Sequence, residues 1–181
     1  MIITDATAET IPGITEIYND AVRNSTAIWN EDTVSRDNRF NWWVGRVSAG
    51  YPVLVALAKD SLSFDEDSPS APEVLGYATF GDWRAFDGYR YTVEHSVYVR
   101  DDQRGNGIGT KLMEQLINRA RHLGKHAMVA GIDASNSGSI TMHERLGFER
   151  VGLLPQVGSK FGNWLDLAFL QLTLDDRKSP S

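Results

Sequence analysis

Arg104-Gly105-Asn106-Gly107-Ile108-Gly109-Thr110 is the stretch on which the fold turns. Three glycines at alternate positions let the backbone turn tightly and come close to a ligand. Before it, residues 91–99 are rich in β-branched and aromatic residues and read as a strand. After it, Ile108, Leu112, Leu116, Ile117, Ala120 and Leu123 recur on one helical face until Gly124 supplies a stop. A helix that opens on such a turn directs its free N–H groups, and a partial positive charge, at an anion such as phosphate. By itself the trio fits an unliganded turn equally well. Two familiar phosphate motifs fail here. A dinucleotide fingerprint needs G-x-G-x-x-G, and Gly109 comes one residue early. A P-loop needs Gly-Lys-Ser/Thr, and Gly109 is followed by Thr110-Lys111.

Working outward, residues 2–5 read as a first strand and residues 10–24 as a helix, with Pro12 in its first turn. A second helix is predicted over residues 36–48, its apolar stripe being Phe40, Trp43, Val44 and Val47. Residues 52–58 form a buried strand, and residues 60–72, rich in Ser, Pro and Asp, a mobile acidic loop without chemistry. Strands at 74–80, 91–99 and 126–132 follow, then a short helix at 137–146 closed by Gly147, and strands at 148–153 and 164–174. The order β-α-α-β-β-β-α-β-α-β-β is α/β with a mixed sheet, in one domain over residues 1–174 with a flexible tail at 175–181.

The chain has 181 residues, enough for one sizeable core. It has no cysteine, which removes thiolate zinc sites and a cysteine nucleophile and fits a reducing, cytoplasmic compartment. No signal peptide or membrane span is read, and a net charge of −6 argues against a broad nucleic-acid footprint. His143-Glu144 lacks the second histidine of a zincin helix, because Gly147 stands there, and no metal is expected.

The spacing Arg104-x-x-Gly107-x-Gly109 resembles the pyrophosphate-binding segment of the GCN5-related N-acetyltransferase family. Residues 136–148, an Asn followed by a helix ending in Leu146-Gly147-Phe148, resemble that family's later segment. Residues 17–31, 81–86, 91–99 and 155–166 resemble one subgroup, the phosphinothricin and methionine sulfone/sulfoximine acetyltransferases. The resemblance covers nearly the whole chain, and the 60–72 loop is its main departure. It implies a single-domain fold with a mixed, mostly antiparallel sheet of about seven strands flanked by about four helices. It also implies acetyl-CoA as co-substrate, a small amino-acid acceptor and a homodimer.

An α-amine reaches neutral pH mostly as ammonium, so a base must take its proton before it attacks a thioester. Glu94, on the strand before the turn, suits that role, and from position alone a structural pairing with Arg84 or Arg90 suits it equally; the resemblance favours the base. The backbone of Val97, Tyr98 and Val99 is expected to bind the pantetheine amides as an added strand and to polarise the thioester carbonyl. Arg104, Gly105, Asn106, Gly107, Ile108, Gly109 and Thr110 would hold pyrophosphate, and Asn136 the coenzyme arm. His143 stands where the family often carries a tyrosine that protonates the leaving thiolate, and imidazole suits that work. Arg84 is the candidate for the substrate carboxylate, with Ala85, Phe86, Glu94, His95 and Ser96 around it. Phe86, Trp29 and Trp164 would wall an apolar slot, each serving equally well as plain core. Two rivals remain: an acetyltransferase for a peptide or protein N-terminus, and a non-catalytic acyl-CoA sensor.

Overall fold

In a computed structural model, residues 1–59 and 71–180 are described. Most of the expected 60–72 loop lies outside them. Strand β1 (Ile2–Asp5) leads into helix α1 (Ile11–Asn24), which buries Ile11, Ile14, Ile17, Tyr18, Ala21 and Val22, the stripe that its 3.6-residue period dictates. Helix α2 (Arg36–Ser48) follows, its first turn capped by the Ser35 hydroxyl accepting from Asn38 N–H. Then come β2 (Val53–Leu57), β3 (Val74–Asp82), β4 (Thr92–Val99), α3 (Ile108–His122), β5 (Ala127–Asp133), α4 (Ser137–Arg145), β6 (Glu149–Lys160) and β7 (Asn163–Thr173). The seven strands form one sheet in the order β1-β2-β3-β4-β5-β7-β6. All neighbours are antiparallel except β4 and β5.

That parallel pair shapes the molecule. It is registered only from Thr92–Ala127 to Glu94–Val129, after which β5 stays with β7 as far as Asp133 and β4 departs. The sheet therefore opens into a wedge, and the β5-facing edge of residues 95–99 has no strand neighbour.

Strand alternation sorts the side chains. Ala78, Phe80, Val93, Met128, Ala130 and Ile132 join the large core beneath α3, whose buried stripe is Ile108, Leu112, Met113, Leu116, Ile117 and Ala120. Leu123, expected on that stripe, caps the helix and stands in solvent. Glu94, Ser96 and Tyr98 on β4, with Val129, Gly131 and Asp133 on β5, take the opposite, α1–α2 face.

Three expectations change. Of the stripe predicted for α2, Trp43 packs on the sheet as expected, Phe40, Val44 and Val47 are exposed, and Trp42 takes their place. The packed face is Arg39, Trp42, Trp43, Arg46, spaced i, i+3, i+4, i+7, and two cations on it hid it from an apolar pattern. Strand β6 runs seven residues beyond the expected 153, passing Pro155 through register shifts at 150/152 and 154/158. Gln156 sits at φ +53 there, and its N–H donates to the Asp166 carboxylate. The tail is fastened at its start, where Asp175 accepts from His126 and Arg177 donates to Asp175 and to the Gly124 carbonyl.

Candidate active site

The wedge and the glycine turn share one cavity of about 1340 Å³. Val97, Tyr98 and Val99 line it from β4, Ile17 and Ala21 from α1, and Asn136 from the start of α4. The turn contributes Arg104, Gly105 and Gly107 to Thr110. Asn106 does not line it; its amide donates to the Gln103 carbonyl.

The three glycines serve different needs. Gly105 and Gly107 sit at φ +80 and +75, the left-handed region that other residues enter at a cost. Gly109 has ordinary φ, but a Cβ there would stand 3.1 Å from the Met142 sulfur. Gly107 is the N-cap, and backbone pairing begins with Lys111 N–H donating to its carbonyl. The N–H groups of Ile108, Gly109 and Thr110 are thus left for a ligand, where the helix dipole is positive. Beside them the Arg104 guanidinium pairs with Asp101 at 2.9 Å. Asn136 accepts from Ser139 N–H through Oδ1, so capping α4 leaves its NH₂ for the cavity.

Glu94 stands where β4 and β5 part. Its Oε1 lies 3.1 Å from the position of a Cβ on Gly131, so a side chain there would crowd the carboxylate. Burial pushes its pKa up, and the charges of Arg84 and then Arg46 pull it back down. Neither arginine forms an ion pair or hydrogen bond with it. Arg90, the other expected partner, donates to the Asp87 carbonyl and lies over Tyr91. Glu94 is a half-buried carboxylate held between positive charges without being locked to either, an arrangement suited to a proton acceptor.

Arg84 is exposed, its Cζ 4.4 Å above the Trp83 ring, which meets Phe169 edge-on at 5.4 Å. Ser96 shares the Glu94 face and stands close enough to Tyr98 to pull down a phenol pKa that burial raises. Ala85 and Phe86 are exposed, Phe86 at 77% and Trp164 at 70%, so within one chain they wall nothing. Trp29 lies so close over Gly158 that a Cβ there would overlap its ring, and its indole donates to the Thr26 carbonyl.

His95 and His143 lie elsewhere than expected. Strand alternation turns His95 to the α3–α4 side, away from Glu94. There its ring stacks on His143, with Nε2 atoms 3.2 Å apart and Phe148 against both edges. His143 is 1% exposed and donates through Nδ1 to the Ser139 carbonyl at 2.7 Å, so its Nε2 accepts from His95. Burial pushes both rings below the usual imidazole range. Neither lines the cavity.

Two residues had no role read from the sequence. Arg46 lies directly over Gly81, the register partner of Glu94, and its signal was the i, i+3, i+4, i+7 face of α2. Lys160 is buried and donates to the carbonyls of Ala21, Ser25 and Ile28, tying the β6–β7 hairpin to the end of α1. Among the described residues no group of three or more His, Cys, Asp or Glu could hold a metal, and no helix is long and apolar enough to cross a membrane.

Known proteins resemble this chain in sequence and fold. The chain is 56% identical over 177 residues to the L-methionine sulfoximine/L-methionine sulfone acetyltransferase of Pseudomonas paraeruginosa, covering 98% of this chain and 96% of that protein. It is 53% identical to the L-amino acid N-acyltransferase MnaT of Escherichia coli, covering 92% and 90%. The structure of yncA from Salmonella typhimurium with its cofactor acetyl-CoA matches at TM-score 0.91 and 50% identity, covering 100% of this chain and 98% of that one. The model of the acetyltransferase (GNAT) family matches residues 14–148, and with relatives more than half identical along nearly the whole length, the chain belongs to that family.

Proposed function

We propose that this protein is a cytoplasmic, homodimeric N-acetyltransferase. It moves the acetyl group of acetyl-CoA to the α-amine of a small amino acid of the methionine sulfone, methionine sulfoximine and phosphinothricin class. The observation that carries this reading is Glu94: half-buried, unpaired, and at the point where the open strand edge begins. The cavity suits the coenzyme. Unpaired first-turn N–H groups fit pyrophosphate, and an unpartnered strand edge fits a chain of amides. Acetyl-CoA supplies an acyl group activated as a thioester.

The chain's own residues do the rest. Arg84 takes the substrate carboxylate in a two-pronged grip and so orients the ammonium towards Glu94. Glu94 accepts the ammonium proton, directly or through a water, and frees the nitrogen lone pair. Backbone N–H groups at Val97 to Val99 steady the negative charge that develops on the carbonyl oxygen. With His143 enclosed, water at the mouth returns the proton to the departing sulfur.

A second copy would complete the site. Edge strand β6 exposes Val151, Leu153, Leu154 and Val157, an apolar border that a monomer would leave open to pairing, and Phe86 and Trp164 are exposed as well. Light scattering on the purified protein would read twice the chain mass. The reading of function is tested by thiol release from acetyl-CoA across a panel of free amino acids, including methionine sulfone and its matching decarboxylated amine. Release with the amino acid and not the amine is expected; no release with any amino acid would overturn the reading.

A further inference from the structure

The α1–α2 face of the sheet holds more positive charge than the proposed chemistry uses. Glu94 is the carboxylate there that no hydrogen bond or ion pair occupies, yet both Arg84 and Arg46 act on it electrostatically. Arg39 adds a third cation, with its Cζ 4.3 Å above the Tyr18 ring and 4.9 Å above Trp42. In a chain of net charge −6 this is a local reversal of sign. Asp82, which accepts from the Tyr51 hydroxyl, is an acidic neighbour of Arg46 and offsets this charge only in part.

Arg46 is the unusual member. It stands on the packed face of α2, and burial lowers its pKa. Its guanidinium covers Gly81, where a Cβ would overlap Nη1, and Gly81 pairs in register with Glu94. A glycine inside a strand marks such a close approach. No hydrogen bond or ion pair to a described residue engages that guanidinium. A half-buried guanidinium with five N–H donors and no acceptor is costly to the fold alone, and an oxygen-bearing ligand would offset that cost.

We propose that Arg46 is a specificity residue: its guanidinium, lying over Gly81 beside Glu94, binds the oxygen-bearing head of the substrate's side chain while Arg84 binds the α-carboxylate. The inference rests on the function proposed above and names its substrate class more closely. Favoured substrates carry two oxygen-bearing groups on either side of one amine, the second being a sulfone, sulfoximine, phosphinate or carboxylate near the end of a short side chain. Plain methionine, whose thioether is a poor acceptor, gains nothing from Arg46. Arg46 then sets a difference between substrates rather than the rate of transfer, as hydrogen-bonding pockets do when they reject analogues that lack the partner group.

The test is the ratio of kcat/KM for methionine sulfone to kcat/KM for methionine, measured by thiol release. It is compared in the parent, Arg46→Gln, Arg46→Lys and Gly81→Ala. A lost hydrogen bond to a charged group predicts that the ratio falls roughly ten- to hundredfold in Arg46→Gln. Arg46→Lys should restore part of it, since it keeps the charge and loses the fork. Gly81→Ala should lower the ratio with Arg46 intact, because the new methyl displaces the guanidinium, and it serves as the independent variant if Arg46→Gln does not fold. Calorimetric acetyl-CoA affinity should match the parent in all three. A ratio unchanged in folded Arg46→Gln or Gly81→Ala, even with both rates reduced, overturns the assignment of Arg46 and leaves the proposed function standing. A parent that releases no thiol with any amino acid overturns that function, and the assignment with it.

Discussion

Replacing Glu94 with Gln keeps the side chain's shape and removes only its ability to take a proton. A general base contributes roughly 10²–10⁴-fold to rate, which is about 3–5 kcal/mol of barrier, so turnover at neutral pH should fall on that scale. The structure adds a second, opposite effect. Burial raises the Glu94 pKa, more than Arg84 and Arg46 lower it. Protonated Glu94 therefore favours the folded state, and that contribution is complete below the unfolded-state pKa and lost as pH rises through the folded one. Above that window the ionised carboxylate is a liability to the fold, so Glu94→Gln should melt at or above the parent temperature at pH 7 while losing activity. The assay is a pH series of thiol release with methionine sulfone, beside thermal melts and calorimetric acetyl-CoA binding. The parent rate should rise with pH through the titration of Glu94 and of the bound amine. The mutant should keep only the second limb and close part of the gap at high pH, where the amine is already neutral. Near-parent turnover at pH 7 in a folded mutant would refute the reasoning and make Glu94 a structural carboxylate.

Gly107→Val should abolish acetyl-CoA binding by calorimetry, since φ +75 strains any β-branched residue by about 1–2 kcal/mol and the side chain would stand at the phosphate cradle. A folded mutant of unchanged affinity would remove the turn from the site. The stacked His95–His143 pair is held neutral below the ordinary imidazole range, whereas the unfolded chain takes up those protons near pH 6.5, so stability should decline as pH falls from there. Urea midpoints at pH 7 and pH 5.5 should draw together in His143→Asn, and an unchanged difference would show that other groups set the acid sensitivity. Lys160→Met leaves three inward-facing carbonyls without their shared donor and should cost roughly 2–3 kcal/mol in a urea titration. A change under half a kcal/mol would mean that water replaces the ammonium without loss.

The glycine turn, the helix after it and the strand before it were legible because each obeys a local rule: left-handed φ at Gly105 and Gly107, a 3.6-residue stripe, and a β-branched run. Glu94 was legible as a candidate, but whether it paired with an arginine was not, because that depends on where two distant guanidinium groups come to rest. Helix α2 had its boundaries read and its face misjudged. Hydropathy counts Arg39 and Arg46 as solvent residues, whereas each lays its length on aromatic or backbone surface. The extension of β6 was hidden by Pro155 and Gly158, which read as a strand's end and are carried through by bulges against β7. His143 was placed correctly on its helix. What the sequence lacked was His95, a partner 48 residues away that draws the ring inward.

The gap between β4 and β5 has a consequence for how the protein persists in its surroundings. Residues 95–99 keep their β5-side backbone groups unspent, so a bound chain of amides would act as a missing strand and join the two halves of the sheet. Stability then becomes a function of coenzyme supply: a ligand present at a hundred times its Kd adds about 2.7 kcal/mol. Amide exchange should be fastest along that edge in the empty protein and slow sharply when the coenzyme arrives. A chain built this way is sturdier when acetyl-CoA is plentiful and easier for proteases to open when it is scarce, so its abundance would follow the metabolite it consumes.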